Sequence, residues 1–129
     1  MKLYELQGNC VNNKPKYHIF KNTKYALDGL LHALKTESSF RLELFLAPFI
    51  ILAIILIDFE LWQKSILLFS AFLILIVELI NSAVENCVDL ITKEFHPLAK
   101  SAKDIAATAV MFSIILHIIF WMVFLFCIL

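Results

Sequence analysis

The chain has 129 residues, of which 61% are hydrophobic, 17% are charged and only 2 are glycine. With a mean hydropathy of +0.85 it is too apolar and too short of turn residues for an ordinary water-soluble domain, so a membrane protein is expected. Its 11 Lys+Arg balance its 11 Asp+Glu, which excludes the strong basic field of a nucleic-acid binder and a polyacidic tail.

Residues 1–20 read as a polar lead-in, because the run Asn12-Asn13-Lys14-Pro15 opposes regular structure. They hold no apolar core of the length a secretory signal needs, so a mature chain starting near Met1 is expected. The remainder, residues 21–129, is expected to form one membrane domain. It opens with Tyr25, Ala26, Leu27, Leu30, Leu31 and Leu34 at helical spacing, while Lys21, Lys24, Asp28, His32 and Lys35 take the other positions. This pattern predicts an amphipathic surface helix over about residues 22–40, with basic side chains able to meet lipid phosphates. A helix packed on a partner protein is the alternative.

Three apolar stretches follow, at residues 44–57, 66–91 and 105–129. The first is short for a bilayer and contains Pro48, but can be extended at both ends, and the spans are placed at about residues 42–62, 65–91 and 103–128. Of the 11 Lys+Arg, 7 precede Leu44, Lys64 lies between the first two spans, and Lys93, Lys100 and Lys103 lie between the second and third. The positive-inside rule therefore puts the N-terminus and the loop from Asp89 to Asp104 in the cytoplasm, and Lys64 and the C-terminus outside. The fold expected is all-α: a membrane helical bundle of three spans plus the surface helix.

Within the second span, Glu78, Asn81, Glu85 and Asp89 are separated by 3, 4 and 4 residues. At about 100° per residue they occupy a stripe of roughly 80° on one face. Such groups are costly in hydrocarbon, so the stripe must face protein, water or a cation. Carboxylates of this kind are hard oxygen ligands suited to magnesium together with phosphate oxygens. A polar seam that specifies helix association is the alternative. Lys103 stands near the start of the third span, where it could meet a polyphosphate, and Ser101-Ala-Lys-Asp104 also matches a capping box. Glu37-Ser-Ser-Phe40-Arg41-Leu-Glu43 adds acidic groups on the same cytoplasmic side. Glu37 could share a metal with Glu85, or simply pair with Arg41 at i,i+4. Glu78 is 11 residues from Asp89, about 16 Å further along the helix, so a water-soluble anion could bind at the shallow end of the stripe while a lipid headgroup reaches the deep end, an arrangement suited to group transfer at the membrane surface.

Other residue types give weaker signals. With two glycines there is no GxGxxG and no Walker loop. Cys10, Cys87 and Cys127 are far apart, which points to single thiols rather than a disulfide framework or a zinc site. His117 in the third span is expected to pack or to make an interhelical hydrogen bond. Trp62 and Trp121 are expected to anchor at the membrane interfaces.

The run Val77-Glu-Leu-Ile-Asn-Ser-Ala-Val-Glu-Asn-Cys-Val-Asp89, with the later His96-Pro-Leu-Ala-Lys-Ser-Ala-Lys-Asp104, resembles the signature of the small bacterial integral-membrane diacylglycerol kinase family. The resemblance extends from about Tyr25 to the C-terminus and leaves out residues 1–20. It implies a homotrimeric, magnesium- and ATP-dependent lipid kinase of the bacterial inner membrane, acting in phospholipid recycling, with active sites between neighbouring protomers. Carried onto this chain, it makes Glu78 the general base, Glu37 and Glu85 the magnesium ligands, and Asn81 a positioning group for base and nucleotide. Lys103 would bind the phosphates and Asp104 would contact the adenine end, with Asp89 also on the nucleotide side. Glu43 and Arg41 would lie beside the lipid.

The family also includes undecaprenol kinases. The segment from Glu37 to Glu43 resembles the diacylglycerol branch, whereas Val88-Asp-Leu-Ile-Thr92 and His96-Pro-Leu-Ala-Lys100 resemble the undecaprenol branch. The position of Glu43 beside the first span favours diacylglycerol. A small oligomeric cation channel or a membrane scaffold is the reading of another class, but it gives no reason for Lys103 and Asp104 at a helix start.

Overall fold

The computed structural model describes residues 19–128. All but the last two residues of the expected lead-in fall outside that range, as do Cys10 and His18. Among the described residues the chain forms four helices and no strand: α1 (Ile19–Thr36), α2 (Ser38–Leu56), α3 (Leu61–Ile91) and α4 (Pro97–Ile128). The last three are each long and apolar enough to cross a membrane, and the chain is a membrane protein.

Helix α1 presents Tyr25, Leu27, Leu30 and Leu31 to its surroundings and buries only Ala33. It is shorter than the predicted surface helix because the backbone turns extended at Glu37 (φ −97°, ψ 112°), and residues 38–40 already belong to α2. Arg41 closes this corner. Its guanidinium donates to the carbonyls of Leu34 and Lys35 at 3.3 and 3.0 Å, satisfying groups that the end of α1 leaves without partners. Arg41 therefore does not form the i,i+4 ion pair with Glu37 that its spacing allows.

Helix α2 continues through Pro48, an interruption that membrane helices tolerate when neighbouring groups re-satisfy the backbone. Its 19 residues span about 28 Å, close to the hydrocarbon thickness of about 30 Å. It stops at Leu56 rather than near residue 62, so Trp62 opens α3 instead of closing the first span. The tight turn at 57–60 is held at both sides. Gln63 Oε1 accepts from the Glu60 N–H at 2.8 Å, and Lys64 Nζ reaches the Ile55 carbonyl at 3.3 Å.

Helix α4 begins at Pro97, six residues before the expected start at 103. Proline suits a first helical position because its missing N–H would have no partner there. His96 supplies the cap, its Nδ1 accepting from the Leu98 N–H at 3.2 Å. Ser101 is consequently inside the helix, and the Ser101/Asp104 pair is not a capping box.

The short turns at 57–60 and 92–96 make α2, α3 and α4 alternate in direction. The start of α2, the end of α3 and the start of α4 thus share one end of the bundle. At the opposite end Ile54, Phe59, Leu67 and Phe124 form the apolar core. Phe59 meets Trp121 and Phe124 edge-on at 5.8 and 6.1 Å.

Between the two ends, Trp121 Nε1 donates to His117 Nε2 at 3.0 Å, and His117 Nδ1 lies 2.7 Å from Ser70 Oγ. Because Nε2 accepts, Nδ1 carries the proton and donates to Ser70, whose hydroxyl donates to the Leu67 carbonyl at 3.0 Å. His117 thus makes an interhelical hydrogen bond, as its sequence context predicts. Trp121 differs from expectation: its N–H is tied inside the bundle, whereas Trp62 is exposed in the manner of an interface anchor.

Candidate active site

On α3 the buried positions Gln63, Leu67, Ser70, Ile74, Glu78, Asn81 and Ser82 follow one face. The polar stripe predicted from spacing is the continuation of the packing face itself. A single chain already hides its deep half, since Glu78 is 5% exposed and Asn81 9%.

Depth follows from counting along α3 at about 1.5 Å per residue. Glu78 lies about 26 Å from the start of α3 at Leu61, and Glu85 and Asp89 at about 36 and 42 Å, so Glu78 is the deepest of the three from the end that α3 shares with the start of α4. On α2, Glu43 is five residues in from the helix start.

Packing of α2 on α3 brings several carboxylates close to one another despite their mutual repulsion. Glu78 is within electrostatic reach of Glu85 and Glu37 and lies beside the Ser39 hydroxyl, while Glu43 is in turn within reach of Glu78. Asn81 Nδ2 donates to Glu85 Oε1 at 3.0 Å. Two buried oxygens in this group, Glu43 Oε2 and Asn81 Oδ1, have no hydrogen-bond partner, a state that is costly away from water and marks positions where a donor from a ligand would be favourable. Glu37 is held from below by Thr36 Oγ1 at 3.1 Å, and borders a pocket of about 370 Å³ between α1 and α3 that also touches His32 and Ser82.

The lysine side of the site lies at the end of α3 and the start of α4. Lys103 Nζ bonds Asp89 Oδ1 at 2.5 Å and is near enough to Glu85 to feel its charge. Asp104 pairs with Lys100 on the same helix, and both are exposed. Asp89, Lys103 and Asp104 all border one polar pocket of about 360 Å³, together with Thr92 and His96.

The structure therefore gathers the predicted residues into two adjoining groups, Glu37, Glu43, Glu78, Asn81 and Glu85 in one, Asp89, Lys103 and Asp104 in the other. Arg41 is the exception, turned to α1. Ser39 and His96 were not anticipated. Ser39 could have been found from its place in the acidic segment, and His96 from its position before a proline. Among the described residues no three of His, Cys, Asp and Glu converge as a ready-made metal cage, and Cys87 and Cys127 are free and exposed.

Three helices long and apolar enough to cross a membrane, with carboxylates gathered on α2 and α3 and a lysine on α4, define the class of a polytopic membrane protein with a polar site at one end of its bundle. Comparison with known proteins is in agreement. The family model described as prokaryotic diacylglycerol kinase matches residues 24–125. Two Helicobacter pylori proteins named diacylglycerol kinase are 39% and 43% identical over 103 residues, covering 80% of each chain. An Escherichia coli protein of the same name is 36% identical over 110 residues, covering 83% of this chain and 88% of that one. The chain belongs to the prokaryotic diacylglycerol kinase family, and its class is that of a lipid kinase.

Proposed function

We propose that this protein transfers the terminal phosphoryl group of ATP to the free hydroxyl of diacylglycerol, giving phosphatidic acid and ADP. The observation that carries this reading is the layering of the site. Buried Glu78 and half-buried Glu43 form the end of the site assigned to the lipid hydroxyl, and Glu85, Asp89 and Lys103, two to three turns further along, form the end assigned to a water-soluble nucleotide. The bond formed joins the lipid oxygen to phosphorus, the bond to the ADP oxygen breaks, and Glu78 takes the hydroxyl proton. Glu43, within electrostatic reach of Glu78, lines the lipid side of the site. Arg41 serves the lipid side indirectly, by fixing α1 over the corner next to Glu43.

The donor set fits magnesium. This ion keeps to one or two carboxylates, completing its shell with phosphate oxygens and water, and Glu37 with Glu85 offers two carboxylates without a full protein cage. Bound there with ATP, magnesium would neutralise charge on the phosphoryl group in flight. Asn81 holds Glu85 through Nδ2 and keeps Oδ1 for the reacting groups. Lys103 exchanges Asp89 for the phosphates, and Asp104 exchanges Lys100 for the adenine end of the nucleotide.

The assembly we propose is a homotrimer in the bacterial inner membrane, with the N-terminus and the site in the cytoplasm and the C-terminus outside. An apolar groove on α3 that includes Ile76, Ile80, Ala83, Cys87 and Ile91 supports it. The groove continues past the hydrocarbon edge, where only protein could cover it.

The test is transfer of label from ATP by the purified protein in mixed micelles, with diacylglycerol and undecaprenol offered in parallel, with and without magnesium. Magnesium-dependent label in phosphatidic acid is expected. Label in undecaprenyl phosphate alone would reverse the substrate assignment, and no label in either lipid from folded protein would remove the kinase reading.

A further inference from the structure

Directly below the carboxylate layer, α2, α3 and α4 enclose an apolar cavity of about 200 Å³. Its walls include Ala47 and Ile50 of α2, Ala71 and Leu75 of α3, and Ile114 of α4. At its upper end stands Glu43, whose Oε2 is buried and without a partner. At its lower end stands His117, locked to Ser70 and Trp121 and backed by the packed core around Ile54 and Leu67. On α2 the lining runs from Glu43 to Ile50, seven residues and a depth of about 10 Å. The small side chains of Ala47 and Ala71 leave the space open, for a larger residue at either place would fill it.

An occupant of this space has to meet two demands at once. It must carry its polar head at the top, beside Glu43 and Glu78, and nothing but hydrocarbon below, since a polar group among these walls would find no partner. A lipid alcohol is such a molecule. Resting on the lipid-kinase reading above, we infer that one acyl chain of the lipid substrate enters the cavity from the Glu43 end, with Ala47 and Ala71 setting the room available and the His117–Ser70 pair forming its floor. The floor is rigid because every polar atom in it is committed: His117 both accepts and donates, and Ser70 passes its own proton to the Leu67 carbonyl. The cavity thus measures chain length, accommodating a short chain whole and forcing the remainder of a longer chain out sideways between the helices.

Diacylglycerol carrying a photoactivatable group midway along one chain tests the location directly in the intact, unmutated protein, with no turnover required. Crosslinks on Ile50, Leu75 or Ile114 are expected. Crosslinks confined to outward-facing residues such as Phe69, Phe72 and Phe112 would overturn the inference, as would a helix of a second copy found crosslinked across the cavity mouth. The second measurement compares Ala71→Leu and His117→Ala with the unmodified enzyme over a series from dihexanoyl- to dioleoylglycerol. Ala71→Leu is expected to raise the lipid KM by at least about tenfold, with the KM for ATP unchanged. His117→Ala is expected to move the optimum to longer chains. Equal effects on all chain lengths, or a parallel change in the KM for ATP, would remove the ruler. If the unmodified protein phosphorylates no lipid, the kinase reading fails by itself, and the crosslinks still decide whether the cavity holds a chain.

Discussion

Replacing Glu78 by Gln separates the chemical role of this residue from any role in folding. Glu78 is 5% exposed and sits among Glu37, Glu43 and Glu85, while Lys103 is occupied by Asp89. Gln keeps the shape and removes the proton acceptor. A general base contributes about a hundredfold to ten-thousandfold to turnover, so kcat is expected to fall by that factor. The expected effect on stability has the opposite sign. Glu85 is two turns away, about 10.5 Å along the axis, and two unit charges at that distance repel by about 1.6 kcal/mol at an effective dielectric of about 20. Water around Glu85 screens part of this, which leaves a gain of between zero and about 1 kcal/mol for Gln. Label transfer in mixed micelles gives the first quantity, and the unfolding midpoint in detergent gives the second. Near-native turnover in folded protein would falsify the assignment of the base. A loss of stability above about 1 kcal/mol would mean that the carboxylate has a structural partner and that the repulsion inferred for this cluster is wrong.

Four further outcomes follow from the same geometry. Lys103→Met should raise the KM for ATP about tenfold to a hundredfold, the worth of one charge-assisted hydrogen bond. Its unfolding midpoint in detergent should stay close to that of the unmodified protein, because the pair with Asp89 is solvent-exposed. His117→Leu leaves the Trp121 N–H without its acceptor and cuts the bond to Ser70, so unfolding in detergent should show a loss of about 1–2 kcal/mol. Arg41→Ala frees the last carbonyls of α1, and hydrogen exchange should accelerate in the last turns of α1 while α3 and α4 are unchanged. Chelation of magnesium should stop turnover and its return restore it, with no change in the midpoint of nucleotide-free protein, since the described residues of one chain hold no complete metal cage.

The sequence makes the three spans legible because hydropathy over a length of about 20 residues is a strong constraint. The stripe Glu78, Asn81, Glu85 and Asp89 was equally readable, since its spacing fixes a helix face whatever the neighbours are. What spacing leaves undetermined is which element that face meets. That Glu78 meets α2 beside Ser39 and Glu43, deep enough to be hidden by one chain, depends on the register of the helices. The contact between Ser70 and His117, 47 residues apart in sequence, depends on the same register. Boundaries went astray where two local signals competed. Ser101 and Asp104 imitate a capping box, but Pro97 starts the helix earlier because proline is most favourable at that position and His96 can cap it. At Glu37 a continuous run of helix-compatible residues hides a sharp corner, and the corner exists because Arg41 can tie off the carbonyls of α1.

The vertical order of polar groups explains why a chain with so little soluble mass can unite two substrates of opposite solubility. Each layer is stabilised by a different means. His117 and Ser70 lie deepest, neutral and fully hydrogen-bonded, as hydrocarbon demands. Glu78 and Glu43 come next, sheltered by helices but keeping an oxygen unpartnered, which is affordable only near the edge where a lipid head can supply a donor. Glu85 and Asp89 stand furthest out, where water and Lys103 answer their charge. Moving the acceptor one turn deeper would strand a carboxylate in hydrocarbon, and moving it one turn outward would place it beyond the lipid hydroxyl. The position of Glu78 on α3 is therefore fixed from both sides, by the desolvation of charge below and by the reach of the lipid above.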